Sequence, residues 1–395
     1  MHVVYSCVRF PPARGGVESY VELMADVMAE NDHQVGVVTS RFSQHLPGSR
    51  RELAPDEMSA DARKPYPVIR LEHHALRTLD AYPFSLRAPT VIASLQPSLI
   101  HAHCFYYASV DAAALASLVT KVPLVLSPSL PIRVAPRWAW YRRGMGWLFR
   151  YASVTTVLSQ FERNLLHRSG LHPGRTVMVP PAIRRHKQSA GDVVLPWDER
   201  NARILLFVGR VSNSKGVDTL IDALPMIVRH DPAVRLVLAG PLVRADVDRY
   251  QTALCQSGLT QHVWIAGEVA SDVLDGLYRA SELFVFPSRY EAFGIVALEA
   301  MSYGLPVVVS DAAALPEVIG WGERGLLHAT GNCESLARAV ARLLDDPDLR
   351  DRVREAALKH VAAEHSERAH YERLSEVYEL AHKRMRRSVR RASDH

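Results

Sequence analysis

The stretch from Phe286 to Pro306 constrains this chain more than any other, because strand, turn and helix signals follow one another sharply within it. A β-rich run ends the predicted strand, and a polar turn follows. Gly294 then opens a predicted helix, which ends at a glycine followed by a proline. Backbone N–H groups at such a helix start bind anions. Glu291 and Glu299 flank that start, and ionised carboxylates accept hydrogen bonds from sugar hydroxyls. The stretch therefore predicts a nucleotide-sugar site.

The same stretch carries a dense pattern, EAFGIVALEAMSYGLPVV, which begins at Glu291. It resembles the retaining GT-B glycosyltransferases of glycosyltransferase family 4. The resemblance implies an α/β fold with two Rossmann-like domains that face a central cleft, and a C-terminal helix that crosses back to the first domain. It also implies that Glu299 binds the ribose and that Glu291 faces the donor sugar, with Phe293, Gly294 and Ile295 beside them.

A second motif follows a predicted strand, with Gly209 and Arg210 at its start and Lys215 and Gly216 at its end. It is similar to the family's G-R-x4-K-G. The forked donors of Arg and the point charge of Lys suit a diphosphate. The resemblance implies that Arg210, Lys215 and Glu291 are catalytic, with no metal needed to neutralise the leaving diphosphate. A solvated strand-to-helix turn is the alternative.

Further glycines and strand ends complete the expected donor site. Gly15 and Gly16 resemble the family's N-terminal glycine loop, where the missing Cβ lets the backbone approach a phosphate; an ordinary turn is the alternative. Gly240 ends one predicted strand, and Glu268 and Val269 follow another, near which the family binds the base. The sequence has neither G-x-G-x-x-G nor a Walker motif, so dinucleotide oxidoreductases and P-loop enzymes lose their main support.

One position departs from the family pattern. The family usually has a histidine after the strand that here ends in LVLSPS, and Ser129 stands at that position. His103 lies at the end of an earlier strand and is either a packed or an acceptor-side histidine. We assign Ser129 and His103 to the acceptor side, and the departure leaves the catalytic efficiency and the kind of sugar open.

Strand signals alternate with helical ones along the whole chain, which favours parallel α/β sheets. With 395 residues and 48% hydrophobic residues, the chain is long enough for two cores. We predict a Rossmann-like acceptor-binding domain over residues 1–185 and a Rossmann-like nucleotide-sugar-binding domain over 186–365. A crossover helix and basic tail follow over 366–395. Residues 41–66 are polar and poorly patterned, and we expect a loop there.

Composition sets the expected compartment and cofactors. The four cysteines lack the spacing of a disulfide framework or a zinc site, which favours a reducing compartment. The N-terminus lacks a signal-peptide pattern, and no apolar run reaches the ~18 residues of a membrane-spanning helix. We expect a cytoplasmic protein that needs no cofactor beyond its UDP- or GDP-sugar donor.

A basic and aromatic segment lies within residues 112–161, which contain no acidic residue. Such a mixture suits an anionic lipid surface or a lipid-linked acceptor. Nucleic acid is not expected, because RNA-binding signatures are missing. A helix whose aromatic residues pack inward is the alternative. The segment's basic and aromatic residues include Lys121, Arg133, Arg137, Trp138, Trp140, Tyr141, Arg142, Arg143, Trp147, Phe149 and Arg150.

These features together favour a retaining glycosyltransferase, peripheral to the membrane, that moves a sugar from a UDP- or GDP-sugar to a glycan, lipid-linked or small-molecule acceptor. One alternative is a GT-B sugar-nucleotide epimerase or phosphorylase. Another is a non-catalytic protein that binds nucleotide sugars.

The basic aromatic segment leads to a prediction about membranes. Liposome co-sedimentation should rise with anionic lipid content and fall with salt, because salt screens attraction between surface charges. Replacing Arg137, Arg142 and Arg143 by Gln should weaken it. Absent or salt-independent binding, with full activity on a soluble acceptor, would favour the inward-packed helix.

Overall fold

A computed structural model describes residues 1–13, 15–46, 49–72, 84–104, 108–129, 146–184, 193–197 and 202–393. The chain divides into two compact units. The first comprises Met1–Ala182 together with Glu367–His395, and the second comprises Ile183–Ser366.

The first unit is built on a parallel sheet whose central strands are buried on both faces, as a sheet covered by helices on both sides requires. The strands that form it are β1 His2–Ser6, β2 Gln34–Ser40, β5 Val68–Leu71, β6 Leu99–His103, β7 Leu124–Ser127, β8 Val154–Val157 and β9 Thr176–Met178. Within the described ranges their spatial order is β5-β2-β1-β6-β7-β8-β9. The order reverses beside β1, which is the usual position of a ligand crevice in such sheets. The main helices of this unit are Gly16–Glu30, Ala88–Ser94, Ala108–Thr120, Gln160–Arg168 and Glu367–Ser393.

Residues 41–66 do not form the expected loop, and that prediction is wrong. A polar contact tethers this region to the sheet. Arg70 on β5 donates to the carboxylate of Asp61, which lies within the region, at 2.6 and 2.9 Å, and also to the Ser40 carbonyl at 3.3 Å. Tethers of this kind leave no periodic pattern in the sequence. The elements present are the antiparallel strands β3 Phe42–Leu46 and β4 Ser49–Glu52, the helix Pro55–Met58 and the 3-10 helix Ser59–Arg63.

The second unit repeats the parallel arrangement. Its strands are β10 Arg203–Val208, β11 Val234–Ala239, β12 Val263–Gly267, β13 Leu283–Phe286, β14 Val307–Ser310 and β15 Leu326–His328, in the spatial order β12-β11-β10-β13-β14-β15 among the described residues. Sequence patterns predict strands at 204–208, 234–239, 263–266, 283–286 and 307–310, which correspond to β10–β14. They miss β15, whose three residues are too few to show a pattern. The helices are Val217–His230, Arg244–Gln256, Ser271–Ala280, Ile295–Ser302, Leu315–Val318, Cys333–Asp345 and Pro347–Glu364.

The C-terminal helix Glu367–Ser393 returns to the first unit, as expected, and a buried chain of polar groups holds it there. The Tyr378 hydroxyl lies 3.0 Å from that of Tyr5 and 2.9 Å from His101 Nδ1. His101 Nε2 lies 2.8 Å from Ser127 Oγ. This network joins the helix to β1, β6 and β7, and each hydrogen bond satisfies a group that would be costly to bury alone.

His103 lies beside this network and is fully buried, and neither ring nitrogen has a hydrogen bond to a described residue. Its ring centroid is 4.2 Å from that of His101. Burial lowers the pKa of His103 to about 3, and it lowers the pKa of His101 well below the usual value. Both rings are therefore neutral in the folded protein at neutral pH.

The basic aromatic segment is described only in part, since residues 130–145, including Arg133, Arg137, Trp138, Trp140, Tyr141, Arg142 and Arg143, lie outside the described residues. Phe149 is fully buried in the core of the first unit, whereas Trp147 is 40% exposed. In the described part of the segment from residue 146 onward, one aromatic side chain thus lies in the core and another at the surface.

The buried histidine predicts acid-sensitive stability. The folded pKa of His103 lies below its unfolded value near 6.5, so its contribution is complete above pH ~6.5 and is lost as the pH falls towards 3. The loss should approach about 1.4 kcal/mol per pH unit. Urea unfolding between pH 7.5 and 5 should show a shallower pH slope for His103→Gln than for the wild type. Equal slopes would contradict the assignment.

Candidate functional site

Gly209, Gly240 and Gly267 lie at the carboxyl ends of β10, β11 and β12, and together they form a floor of backbone without side chains. The Gly209 N–H donates to the Ala239 carbonyl at 2.9 Å, and the Gly240 N–H donates to the Gly267 carbonyl at 2.7 Å. A Cβ on Gly240 would lie 2.2 Å from the Gly209 carbonyl oxygen, so only glycine fits there. Ligands of open α/β sheets bind at this edge, where the floor lets them approach the backbone closely.

The loop after β10 presents the two cations expected to bind a diphosphate. Arg210 is exposed, and its guanidinium has no hydrogen bond or ion pair to any described residue. Lys215 ends the 3-10 helix Asn213–Lys215, and its ammonium forms an ion pair with the Glu291 carboxylate. Gly216 follows at φ 71°, where a Cβ would lie 1.9 Å from the Pro287 carbonyl oxygen. This contact places the loop directly against the loop that carries Glu291.

Arg289 fastens the two loops together. Its guanidinium forms a two-pronged ion pair with Asp218, with both N···O distances 2.6 Å, and it also donates to the Asn213 carbonyl. The Arg289 N–H donates to the Ser214 carbonyl at 3.3 Å. The sequence indicates only a polar turn after the strand that ends at Phe286, and Arg289 lies in that turn. Its partner lies far away in the sequence, so no local signal identifies the pair.

Glu291 is held by hydrogen bonds as well as by Lys215. Ser288 Oγ donates to Glu291 Oε1 at 2.9 Å, and the buried Ser288 in turn accepts at its carbonyl from Ser310 Oγ at 2.5 Å. The Glu291 side chain is 15% exposed. Its carboxylate is therefore fixed in place while one face remains open to a ligand.

The helix Ile295–Ser302 begins at Gly294, as predicted. Gly294 has φ 101°, and a Cβ there would lie 2.6 Å from Leu315 Cδ2. No side chain caps this end, and the N–H groups of Ile295 and Val296 have no backbone acceptor among the described residues. Phe293, just before the helix, is buried. The helix start therefore has uncapped N–H groups close to the Glu291 side chain, an arrangement that suits an anion.

Glu299 lies further along the same helix in a different environment. Its Oε2 accepts a hydrogen bond from the Tyr278 hydroxyl at 3.0 Å. The pKa of Glu299 is raised to about 7: burial is the main cause and nearby Asp275 adds to it, whereas the bond from Tyr278 lowers it. The two carboxylates are therefore not equivalent: Glu291 pairs with a cation, and Glu299 with a phenol.

The end of β12 lies at the same edge of the sheet. Glu268 is exposed and Val269 is half-buried. Leu242, after β11, is 48% exposed. An exposed apolar side chain beside this strand end suits the flat face of a base.

The remaining predicted residues lie in the first unit. Gly15 precedes the helix Gly16–Glu30 in an extended conformation. Close by, Glu18 is buried and forms an ion pair with Arg9, and burial raises its pKa. No sequence signal singles out Glu18, because an acid in the first turn of a helix is common. Ser129, after β7, has φ 47°. Its role and that of the buried His103 stay predictions.

Two family descriptions match the chain. Residues 14–187 match Glycosyltransferase Family 4, and residues 197–360 match Glycosyl transferases group 1. An uncharacterised glycosyltransferase of Methanocaldococcus jannaschii is 37% identical over 187 residues, which cover 44% of this chain and 47% of that protein. A D-inositol 3-phosphate glycosyltransferase of Acidothermus cellulolyticus is 28% identical over 384 residues, or 89% of this chain and 82% of that protein. The chain spans about half the length of several relatives that it matches.

Solved structures share the fold over nearly the whole chain. The structure of Anabaena HepE in complex with UDP-glucose has a TM-score of 0.72 and 20% sequence identity, and the match covers 95% of this chain and 99% of that one. Two Rossmann-like units with a returning C-terminal helix define the GT-B class. The chain belongs to the group 1 glycosyltransferases of glycosyltransferase family 4.

The loop after β10 predicts the effect of removing its cations. Lys215→Ala and Arg210→Ala should each weaken donor binding and slow transfer at least ~10²-fold. Each variant lacks a cationic contact to the diphosphate, whose negative charge grows as the sugar leaves. Single-turnover transfer measures this. Lys359→Ala, at an exposed lysine of the helix Pro347–Glu364, is the control. Near-wild-type transfer by both site variants would refute the assignment.

Proposed function

We propose that the protein is a retaining glycosyltransferase that moves a sugar from a UDP- or GDP-sugar to a glycan, lipid-linked or small-molecule acceptor. The observation that carries the proposal is the Lys215–Glu291 pair at the uncapped start of the helix Ile295–Ser302, with Glu299 further along that helix. A nucleotide sugar needs cationic and N–H donors for its diphosphate and carboxylate acceptors for its hydroxyls, and these residues supply both.

In the proposed mechanism, the diphosphate binds at the helix start and contacts Arg210 and Lys215. Lys215 then exchanges its bond to Glu291 for the diphosphate, which frees the Glu291 carboxylate to accept from a donor-sugar hydroxyl. As the sugar–oxygen bond breaks, negative charge accumulates on the diphosphate. Fixed cations therefore stabilise the transition state more than the ground state. The acceptor hydroxyl attacks the anomeric carbon from the face that the diphosphate leaves and gives its proton to the departing diphosphate oxygen, so the anomeric configuration is retained.

The names of similar proteins indicate which donors and acceptors to test first under this proposal. UDP-glucose is bound in the Anabaena HepE structure, which supports UDP as the nucleotide to test first. The printed name of the Acidothermus relative, D-inositol 3-phosphate glycosyltransferase, supports including phosphorylated polyols among the acceptors. Thermal-shift screening against UDP, GDP and their sugars tests this, since a ligand at ~100 times its Kd adds about 2.7 kcal/mol of stability.

The same proposal places the protein in the cytoplasm, peripheral to the membrane. No helix in the described part of the chain is long and apolar enough to cross a membrane. Release of UDP or GDP with and without acceptor separates transfer from epimerase or phosphorylase chemistry and from simple binding.

The proposed roles predict different losses for the two carboxylates. Glu299→Gln should mainly weaken affinity for the free nucleotide diphosphate, because ribose contacts are the same before and during transfer. Glu291→Gln should leave that affinity nearly unchanged and depress turnover, because its partner exists only on the sugar. Calorimetry with the diphosphate and single-turnover transfer measure both effects.

Glu355→Gln, at an exposed position of the helix Pro347–Glu364, is the control for this pair. If Glu291→Gln loses nucleotide affinity as badly as Glu299→Gln, the division of roles is wrong. If neither variant changes either quantity, this stretch is not the active site.

A further inference from the structure

The carboxylate of Glu299 is held from a neighbouring helix rather than from its own. Tyr278, on the helix Ser271–Ala280, is 2% exposed, and its hydroxyl donates to Glu299 Oε2 at 3.0 Å. Glu299 Oε1 has no hydrogen-bond partner within the described ranges, and no ion pair to Glu299 occurs there. One oxygen is therefore fixed, and the other is available to a ligand.

Tyr278 is itself fixed by a second tyrosine. The rings of Tyr278 and Tyr303 stack at a centroid distance of 4.8 Å and an interplanar angle of 13°. The Tyr303 hydroxyl donates to the Asp275 carboxylate, and the Arg279 guanidinium lies 5.4 Å from the centre of the Tyr303 ring. Stacking and an anchored hydroxyl hold the pair in one arrangement, so the direction of the bond to Glu299 is set before a ligand arrives.

We infer that Tyr278 is a positioning residue for nucleotide binding, which holds one oxygen of Glu299 so that the other faces the ribose hydroxyls. The inference rests on the proposed function, since it takes the nucleotide as the partner of Glu299. Tyr303 acts one step further away, by fixing the ring of Tyr278.

The bond from Tyr278 also acts on the protonation of Glu299. Among the described residues, the titratable groups that face this carboxylate are Tyr278 and Asp275, on the helix Ser271–Ala280, and Tyr303, at the end of the helix that carries Glu299. Burial and Asp275 raise the pKa of Glu299, and the bond from Tyr278 lowers it. The ionised carboxyl accepts hydrogen bonds from both ribose hydroxyls, whereas a protonated one loses an acceptor. Without Tyr278, the protonated form extends further into the neutral pH range.

The test is calorimetry of UDP or GDP, whichever the wild type binds more tightly, from pH 6 to 8.5. Tyr278→Phe keeps the stacked ring and removes only the hydroxyl. It should bind the nucleotide about tenfold more weakly at pH 7, and the midpoint of affinity against pH should rise by about one unit. The terminal phosphate of the nucleotide itself titrates near pH ~6. The pH profile of each protein is therefore compared with that of Glu299→Gln, which binds the same phosphate but lacks the carboxylate.

A second ligand separates positioning from general damage to the fold. The 2′,3′-dideoxy form of the same nucleotide lacks both ribose hydroxyls, so Tyr278→Phe and the wild type should bind it equally. Tyr66→Phe is the matched control, because it removes a buried tyrosine-to-carboxylate bond, Tyr66 to Asp26 at 2.5 Å, in the other unit. It should not change affinity for either ligand.

Each outcome has one meaning. An unshifted pH midpoint in Tyr278→Phe, or an equal loss of affinity for the dideoxy nucleotide, overturns the positioning role and leaves the proposed function intact. If the wild type binds neither UDP nor GDP, the proposed function fails, and this inference fails with it.

Discussion

The close approach of two loops at the carboxyl edge of the second sheet brings the Lys215 and Glu291 side chains together. Gly216 and Pro287 are so near that a single Cβ would collide with a carbonyl oxygen. The fork between Arg289 and Asp218 holds this approach, and it is built from two charge-assisted bonds of fixed geometry. Lys215 meets Glu291 only because the two loops are fastened in this way.

The two glutamates illustrate how surroundings divide roles between identical side chains. A cation and a serine hydroxyl surround Glu291, which keeps its charge compensated until a ligand competes for that cation. Apolar neighbours and a phenol surround Glu299, and its pKa rises to about 7 as a result. Glu291 is thus suited to a sugar that arrives together with a diphosphate able to take its cation, and Glu299 to hydroxyls that bring no charge.

Sequence patterns predicted the features that depend on local order. The parallel strands, the helix that begins at Gly294 and the returning C-terminal helix follow from hydrophobic runs, glycine positions and family spacing, and the structure contains them. The pairings of Arg289 with Asp218 and of Tyr278 with Glu299 could not be predicted in this way. Each joins residues on different elements, and the choice of partner depends on how those elements pack. The strands β3 and β4 escaped prediction because their short sequences, FSQHL and SRRE, are mostly polar and lack the alternation of apolar and polar residues that indicates a strand.

The return of the C-terminal helix sets an order for folding during synthesis. Tyr378 completes the buried polar network of the first unit, yet the ribosome makes it after every residue of the second unit. The first unit therefore emerges first but completes its core last. Until then, the Tyr5 and His101 side chains lack the Tyr378 hydroxyl, so the first unit cannot complete this network before synthesis reaches residue 378.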